Sequence, residues 1–406
     1  MAVLYILIAT AMFYLYQGNL TFGGFGFMYY YLLGMGIAAI AFVSFLVKPK
    51  VHRAVGLAKE AATLSLAYLL PLLISLFIWV FSFSQTRMMT RGFFFVVYQM
   101  IALVVAMSTV YLFGNKGLRY CLLSMLLANG LLLLKRIGEF GIGVFLQELL
   151  DLVLSFGMDT GTMMRSMEIH DLTFALGLFF LYDLIEGRKR KLQPLYMLVT
   201  LFFLLVGLKR IGMIAIAVPF VVVLLLKRFS EKTAKSITMV ICYGVISVCF
   251  VYLVAVSKGL FVYLEETLQI DTKGRMDLYR VVNTFYELAP SYFGRGLGFS
   301  SAAWNSLGIE TFDVWQQAYH NEYLRMYVEV GFWGFLGWMW LLLPYRVNYF
   351  WKKKGMMGGL VALALVLYCC ITYATDNTLY YYYTNTALFM LVLGQGIEKQ
   401  EGEQHE

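Results

Sequence analysis

The sequence has few charged residues. Asp, Glu, Lys and Arg make up 14% of its 406 residues, whereas apolar residues make up 61%. A soluble globular domain has about 25% charged and about 45–50% apolar residues. The composition therefore excludes an ordinary water-soluble domain, a disordered chain and a nucleic-acid-binding protein. It indicates a polytopic membrane protein, with the lipid bilayer as its partner.

The apolar residues lack the regular alternation with polar residues that is typical of a transmembrane β-barrel. They form long unbroken runs, and a helical span needs about 20 such residues. The predicted fold class is an all-α integral membrane protein with about twelve transmembrane helices. The predicted spans cover residues 2–16, 22–47, 61–83, 92–113, 120–134, 170–186, 194–207, 211–226, 236–257, 324–343, 356–375 and 378–395.

Cysteine is scarce, and the cysteines lack the spacing of metal ligands. We expect them to be small core residues; they are Cys121, Cys242, Cys249, Cys369 and Cys370. The N-terminal residues lack the basic start and small-residue cleavage site of a secretory signal peptide, which favours a first span there.

Lys and Arg outnumber Asp and Glu by 32 to 24. With the N-terminus placed in the cytoplasm, 19 of the 32 basic residues fall on the cytoplasmic side, as the positive-inside rule requires. They lie in residues 48–60, 115–119, 188–191, 227–235 and 345–354, together with Lys399. Topology therefore explains these 19, and the other 13 carry more information about function.

Residues 140–157 are long enough to resemble one more span. However, Gln147, Glu148, Asp151 and Ser155 fall on one helical face, which favours an amphipathic helix at the outer surface.

The predicted organisation is a bundle of spans 1–9 at residues 1–257, a large extracytoplasmic loop at 258–319, spans 10–12 at 320–397 and a cytoplasmic tail at 398–406.

Arg210 lies where span seven turns into span eight, at the predicted outer boundary of the membrane. It is either a snorkelling arginine or a fixed cation that faces an anionic group at the outer leaflet. Lys209 beside it would add a second positive charge to the same patch.

The large loop contains three further arginines, Arg275, Arg280 and Arg295. The first two lie on a predicted amphipathic helix that Pro290 ends or follows. Positive charge on the outer side works against the orientation rule, and guanidinium groups bind phosphate oxygens in pairs. The arginines therefore indicate an anion site. The alternative is pairing with the acidic residues of the loop, Asp271, Asp277 and Glu287.

Two glycines, Gly296 and Gly298, form a predicted tight turn after Arg295. Alone they are a weak signal of a phosphate-binding loop, because no strand precedes them.

His320 opens span ten, and Asn321 is a predicted helix cap. Glu329 lies about two turns further into the span. An ionisable residue at this depth is a candidate functional residue, although His320 could be a capping or interfacial histidine and Glu329 the partner of an arginine. Three glycines would let another helix approach closely; they are Gly331, Gly334 and Gly337.

Two tyrosine clusters, Tyr29–Tyr31 and Tyr380–Tyr383, lie near the predicted outer ends of spans two and twelve. They predict an interfacial aromatic belt; a sugar-binding mouth is the alternative.

The sequence lacks a Walker motif, a nucleophile elbow, a zinc-protease motif, a D-x-D pair and a clear glycosidase carboxylate pair. The expected chemistry therefore needs no ATP, nucleotide donor, metal or other cofactor.

These elements together resemble the O-antigen polymerase and O-antigen ligase superfamily of bacterial membrane glycosyltransferases, over residues 200–340. The family signature H-N-x-x-L-x-x-x-x-E-x-G-x-x-G is filled completely by His320, Asn321, Leu324, Glu329, Gly331 and Gly334. The loop signatures are met by Gly274, Arg275, Tyr279, Pro290, Gly296 and Gly298. At the Ser-Arg-Gly-like stretch, Lys209 replaces the usual serine before Arg210.

The resemblance implies a donor that carries an oligosaccharide on undecaprenyl diphosphate, and transfer of that glycan to a sugar hydroxyl. It implies catalytic roles for His320, Arg210 and Arg275. Diphosphate binding would fall to Lys209, Arg210, Arg275, Arg280 and Arg295, supported by Asn321, Glu329, Gly296 and Gly298. His320 would deprotonate the acceptor hydroxyl, and the arginines would stabilise the departing diphosphate.

The predicted activity is polymerisation of lipid-linked repeat units into a capsule, exopolysaccharide or O-antigen, in a bacterial inner membrane. The near alternative is a ligase that moves glycan to a lipid A-core or protein acceptor. A chain-length regulator and a flippase are candidate protein partners. A twelve-span transporter or lipid flippase is the alternative of another class, but it predicts pseudo-symmetric halves with broken helices, which this sequence lacks.

Overall fold

The computed structural model describes residues 1–15, 29–81, 86–155, 161–167, 169–187, 192–207, 210–260, 263, 267, 275–300 and 319–395. At residues 275–277 it describes the backbone alone. The described residues are largely helical and contain no strand, so the all-α prediction is confirmed for this part of the chain.

The described part of the chain forms fifteen α-helices. They are α1 (Ala2–Leu15), α2 (Tyr29–Val47), α3 (Val51–Phe81), α4 (Thr86–Phe113), α5 (Lys116–Phe140), α6 (Ile142–Leu154), α7 (Thr162–Ser166), α8 (His170–Glu186), α9 (Gln193–Val206), α10 (Arg210–Leu226), α11 (Glu231–Ser257), α12 (Arg275–Val282), α13 (Glu322–Trp340), α14 (Arg346–Tyr373) and α15 (Tyr382–Leu393). A π-helical segment, Leu341–Tyr345, joins α13 to α14.

Six helices in the described part of the chain are long and apolar enough to cross a membrane. Five are α2, α3, α4, α5 and α11; the sixth is the 52-residue helical stretch Glu322–Tyr373, whose backbone is non-helical at Gly331 and Gly355. Shorter apolar helices are α1, α9, α10 and α15. These helices indicate a helical membrane protein, while the twelve spans, their sidedness and the cytoplasmic termini stay predictions.

The segment predicted as an interfacial helix forms α6, which has 13 residues. At 1.5 Å per residue such a helix is about 20 Å long, less than the ~30 Å hydrocarbon core. Phe145 and Leu152 pack into an apolar cluster with residues of α5, α7 and α9. Glu148, on the predicted polar face, accepts a hydrogen bond from Met164 N at 2.8 Å. The polar face of α6 thus caps α7.

The described chain forms two compact units. The first unit comprises residues 1–62, 101–225 and 381–406, and the second comprises residues 63–100 and 226–380. Because α3, α4 and α10 run through the unit boundaries, each unit contains parts of these helices.

In the first unit, α1 packs against α2 and α5, and α8 packs against α9 and α15. Asp171, at the start of α8, caps α15: its carboxylate accepts from Tyr383 N at 2.9 Å and Thr384 N at 2.7 Å. A carboxylate at a helix N-terminus satisfies amides that have no partner within the helix. The contact fixes α15 against α8.

Four of the tyrosines predicted to form an interfacial belt are buried in the first unit. Tyr30 and Tyr31 pack against Tyr382 and Tyr383, with ring centroids 4.8 Å apart for Tyr31 and Tyr382. Their exposed fractions are all 6% or less. The belt prediction is therefore wrong for these four, because side-chain packing rather than membrane depth decides where they lie.

In the second unit, α11 packs against α13 and α14, and α3 approaches α13 at two glycines. A Cβ at Gly334 would lie 3.0 Å from Ile74 Cδ1, and a Cβ at Gly337 would lie 3.0 Å from Leu70 Cδ2. The predicted close helix approach is confirmed at these positions.

The five cysteines are buried free thiols, as predicted for core residues.

Arg346 differs from its sequence-based interpretation as a residue of a cytoplasmic connection. The chain is helical there, and the side chain is fully buried. Its Nη2 donates to Leu64 O at 3.1 Å. The positive-inside rule counts charges along the sequence and does not report burial, so it could not distinguish Arg346 from an exposed lysine.

Candidate functional site

The candidate residues that the structure describes fall in both units. Arg210 is exposed at the start of α10 in the first unit. The others belong to the second unit, and of Arg275 only the backbone is described. Lys209 lies outside the described residues.

A break in α13 at Gly331 receives the loop that precedes it. Gly331 has φ 74° and ψ −174°, a conformation that is essentially confined to glycine. Phe332 N therefore donates to Tyr292 O at 2.9 Å, and Val328 O accepts from Arg295 N at 3.0 Å. The loop thus supplies hydrogen-bond partners for backbone N–H and C=O groups of α13 that have none within the helix at the break.

The glycines of this loop allow close backbone approach. With φ 89° at Gly296, a Cβ there would lie 2.5 Å from Trp79 Nε1. A Cβ at Gly298 would overlap Met88 O of α4. Ser75 of α3 holds the turn, because its Oγ accepts from Leu297 N at 2.8 Å. The glycines therefore have a packing role in docking the turn onto α3 and α4.

Glu329 joins the loop to α13 through its side chain. It is fully buried, and its Oε1 accepts from Ser300 N at 3.0 Å. The same oxygen lies 3.5 Å from Arg325 Nε. Its Oε2 has no hydrogen-bond partner among the described residues. Of the two roles considered for Glu329, the arginine pair is the one that this geometry shows.

Arg325 was missed in the sequence analysis. Its side chain is buried, lies 3.5 Å from Glu322 Oε2 as well, and stacks on Tyr380 with 3.2 Å between Cζ and the ring centroid. Cation–π contacts of desolvated guanidinium groups are among the stronger ones. The signal was in the sequence: acidic residues precede and follow Arg325 by three and four positions, the spacing at which helical side chains meet.

His320 has an unusual backbone. Its φ is 48°, and among the described residues it is the one non-glycine residue with positive φ. Its amide donates to Asn377 Oδ1 at 3.1 Å, and its ring Nδ1 lies 3.3 Å from Asn377 Nδ2. Asn377 N in turn donates to Asp376 Oδ1 at 2.8 Å. Backbone strain of this kind persists where surrounding contacts enforce it, often at functional sites.

These contacts assign a tautomer to the neutral form of the His320 ring. The backbone amide can only donate, so the amide oxygen of Asn377 faces it and the Nδ2 group faces the ring. Since Nδ2 can only donate, Nδ1 is the accepting nitrogen and the neutral ring carries its proton on Nε2.

Asn321 caps α13 as predicted, because its Oδ1 accepts from Leu324 N at 3.0 Å. Its Nδ2 donates to Tyr252 Oη at 3.2 Å, and Tyr252 Oη donates to Ala374 O at 2.9 Å. The His320–Asn321 pair is thus held from α11 and from the segment after α14.

Arg280 and Arg295 are both exposed in the second unit. Arg280 lies on α12, the helix predicted there, which ends eight residues before Pro290. Arg295 Nε donates to Phe285 O at 3.1 Å, and its Cζ lies 6.0 Å from the Phe299 ring. In the described part of the loop, Arg295 is therefore placed by a carbonyl and a ring, and its charge faces solvent.

Three tyrosines pack behind this loop. Tyr292 and Tyr327 stack with 5.7 Å between ring centroids, and Tyr286 meets Tyr327 edge-on. Tyr286 Oη donates to Asn283 Oδ1 at 2.7 Å. Burial raises the pKa of Tyr286 to about 12, so its hydroxyl remains a neutral donor at working pH.

The comparisons with known proteins agree with the resemblance read from the motifs. Residues 195–339 match the family described as O-antigen ligase. This range contains the turn at Arg295 and α13 up to Met339, one residue before the helix ends. No curated protein matches the sequence. Residues 195–339 of the chain are thus similar to the O-antigen ligase family.

Proposed function

We propose that the chain is a membrane glycosyltransferase that polymerises undecaprenyl-diphosphate-linked repeat units into a surface polysaccharide. The family match supports an O-antigen polymerase- or ligase-type enzyme. The observation that carries the finer proposal is the docking of the Arg295–Gly298 turn on the broken helix that His320 and Asn321 open. It brings the loop that carries exposed cations and the motif histidine into one packed unit.

The reaction is a displacement at the anomeric carbon of the donor sugar. The acceptor hydroxyl oxygen forms the new bond to this carbon, and the bond from the carbon to the diphosphate oxygen breaks. The electron pair stays on the lipid diphosphate, and the hydroxyl proton leaves to a base or to the released diphosphate. Negative charge therefore grows on the diphosphate, where fixed guanidinium groups stabilise the transition state most.

Arg280 and Arg295 are exposed cations of the second unit that could serve this role. Arg210 and Arg275 are assigned to the same anion by the motif alone. No metal or nucleotide is required in this scheme, because the departing group is already a diphosphate and the compensating charge comes from arginines.

Two roles are open to His320, and the contact with Asn377 favours one of them. As a general base, the ring would take the hydroxyl proton on a nitrogen that carries none. The accepting nitrogen is Nδ1, which faces Asn377. Nε2 carries the proton, which favours a hydrogen bond from Nε2 to an oxygen of the diphosphate.

The ligase activity is the second candidate, since the family description names it. Reconstitution of the purified chain with a synthetic undecaprenyl-diphosphate-linked repeat unit, without metal or nucleotide, separates the candidates. A polymerase leaves a lengthening glycan on the lipid diphosphate. A ligase transfers the glycan to an added lipid A-core or protein acceptor and shows no lengthening without it. Absence of both products overturns the proposal.

Alanine replacement of Arg210, Arg275 or His320 tests the site in the same assay. We expect each variant to lose glycan transfer at normal protein levels. The matched control is Arg228→Ala, which removes an exposed cation outside the motifs. Full-length products from all three motif variants would contradict the assignment.

A further inference from the structure

An apolar groove in the first unit has no part in the proposed reaction. It lies between α2, the start of α3 and the second half of α4, and its volume is about 580 Å³. Ligand sites in proteins have volumes of about 300–1,000 Å³. Alanines of α2 and α3 form much of the wall: Ala38, Ala39, Ala41, Ala54 and Ala58. Their short side chains leave the space that longer ones would fill.

The groove is open to the surroundings along one side. Phe42 and Met35 line it with exposed fractions of 62% and 45%. Ser108 and Tyr111 are the polar side chains of its wall. Such a groove suits a hydrocarbon chain and excludes a polar ligand.

One end of the groove is bounded by a basic corner, which we define as Lys48, Lys50 and Arg53. Arg53 Nη1 donates to Tyr111 O at 3.0 Å, and Lys50 N donates to Tyr111 Oη at 3.2 Å. Because Tyr111 also lines the groove, the corner is attached directly to it. Burial, and then the charges of Arg53 and Lys48, lower the pKa of Lys50. The three cations therefore lie close together.

The surrounding sequence offers these cations little negative charge. In the first 138 residues, Glu60 is the one acidic residue, against ten Lys and Arg. Glu60 is buried. The corner is thus complementary to a phosphate.

We propose that this groove and its basic corner bind one anionic phospholipid, with an acyl chain along the groove and the phosphate at Lys48, Lys50 and Arg53. The ligand combines the two chemistries that the site combines. The corner lies in residues 48–60, which are predicted to be cytoplasmic, so the site is separate from the predicted outer-leaflet donor site. Basic pockets between transmembrane helices are a known way to hold anionic headgroups.

The test is lipid retention by the purified full chain, measured by native mass spectrometry after exchange into phosphatidylglycerol or phosphatidylcholine with the same acyl chains. We expect preferential retention of phosphatidylglycerol. Lys50→Gln with Arg53→Gln should weaken it by about fivefold for each cation removed. Arg228→Gln with Lys232→Gln removes the same charge from an exposed site and should leave retention unchanged.

The groove itself is tested by Ala39→Trp and Ala58→Trp, which place a large side chain at exposed wall positions. We expect both to lower phosphatidylglycerol retention. Val43→Trp on the exposed face of α2 outside the groove is the matched control and should not.

Any one of four results would overturn the proposal. Equal retention of the two phospholipids would remove the anion site. Unchanged retention in both groove variants would remove the chain site. Binding of undecaprenyl phosphate without phosphatidylglycerol would assign the groove to another lipid. If the groove variants lost a dimer rather than lipid, the occupant would be a second copy of the chain. None of these outcomes depends on glycosyltransferase activity.

Discussion

Two helices in this protein begin at or just after a histidine followed by a polar residue. The contacts around the two histidines differ, and the difference distinguishes a structural site from a functional one. In the first unit, His170 and Asp171 open α8; in the second, His320 and Asn321 precede α13. Both histidines lie next to a side chain from a distant segment, 3.3 Å from Tyr381 Oη for His170 and 3.3 Å from Asn377 Nδ2 for His320.

Both carboxylate oxygens of Asp171 have hydrogen-bond donors. Both carboxylate oxygens accept backbone amides of α15, and Thr384 Oγ1 adds a third donor at 2.9 Å. Around α13, by contrast, His320 has a left-handed backbone. Oε1 of Glu322 and Oε2 of Glu329 are buried without a hydrogen-bond partner in the described part of the chain. A saturated network is typical of a structural site, whereas strain and unused acceptors are typical of a functional one.

The largest expected effect is at Arg325. Arg325→Met leaves Glu322 and Glu329 buried without their cation, and breaking a buried ion pair costs about 3–5 kcal/mol. We expect a loss of this size in the free energy of unfolding, measured by thermal denaturation in detergent. Adding Glu322→Gln and Glu329→Gln to this variant should restore most of it. No recovery in the triple variant would show that the charges are not what Arg325 balances.

A smaller effect is expected at Asp171. Asp171→Asn keeps one acceptor oxygen but loses the charge, and a hydrogen bond to a charged group contributes about 1.5–3 kcal/mol. Stability should fall by about 2 kcal/mol, while glycan transfer per folded molecule stays normal. Asp151→Asn, at an exposed position of α6, is the control. If Asp171→Asn lost glycan transfer at unchanged stability, Asp171 would not be the structural residue that the comparison with His320 requires.

Next is Gly331, where the loop enters the break in α13. Alanine there is strained by about 1–3 kcal/mol, and its Cβ would overlap Phe293. We expect Gly331→Ala to lower the denaturation midpoint. Gly130→Ala in α5, where a Cβ meets nothing within 4 Å, should stabilise by about 0.5–1 kcal/mol. If Gly331→Ala and Gly130→Ala changed stability equally, the break in α13 would not be required for the fold.

Much of the helical content was predictable from the sequence. Long apolar runs gave helices in the expected places, and Asn321 was predicted as a cap because its residue type and position before the helix are local features. The short α6 was predictable for the same reason, since its polar side chains repeat with helical spacing.

The site was less predictable, because its key features depend on partners distant in sequence. The exchange of hydrogen bonds at Gly331 requires a loop almost 40 residues away, and Asn377 lies 57 residues after His320. Arg325 had a local signal at helical spacing, but that spacing is the same for exposed and for buried ion pairs and so does not report burial. Burial of Tyr382 and Arg346 is decided by tertiary packing and contradicts what composition suggests at each position.

The most direct test of the central claim compares His320→Ala with His170→Ala in the reconstituted glycan-transfer assay, at equal amounts of folded protein. If His320 contacts the reacting groups, its loss should lower the transfer rate by about 100-fold or more. His170→Ala removes a half-buried histidine outside the motifs and should stay within about threefold of the unmodified protein, which is less than about 1 kcal/mol in activation free energy. A His320→Ala variant that transfers glycan at the rate of the unmodified protein would contradict the account.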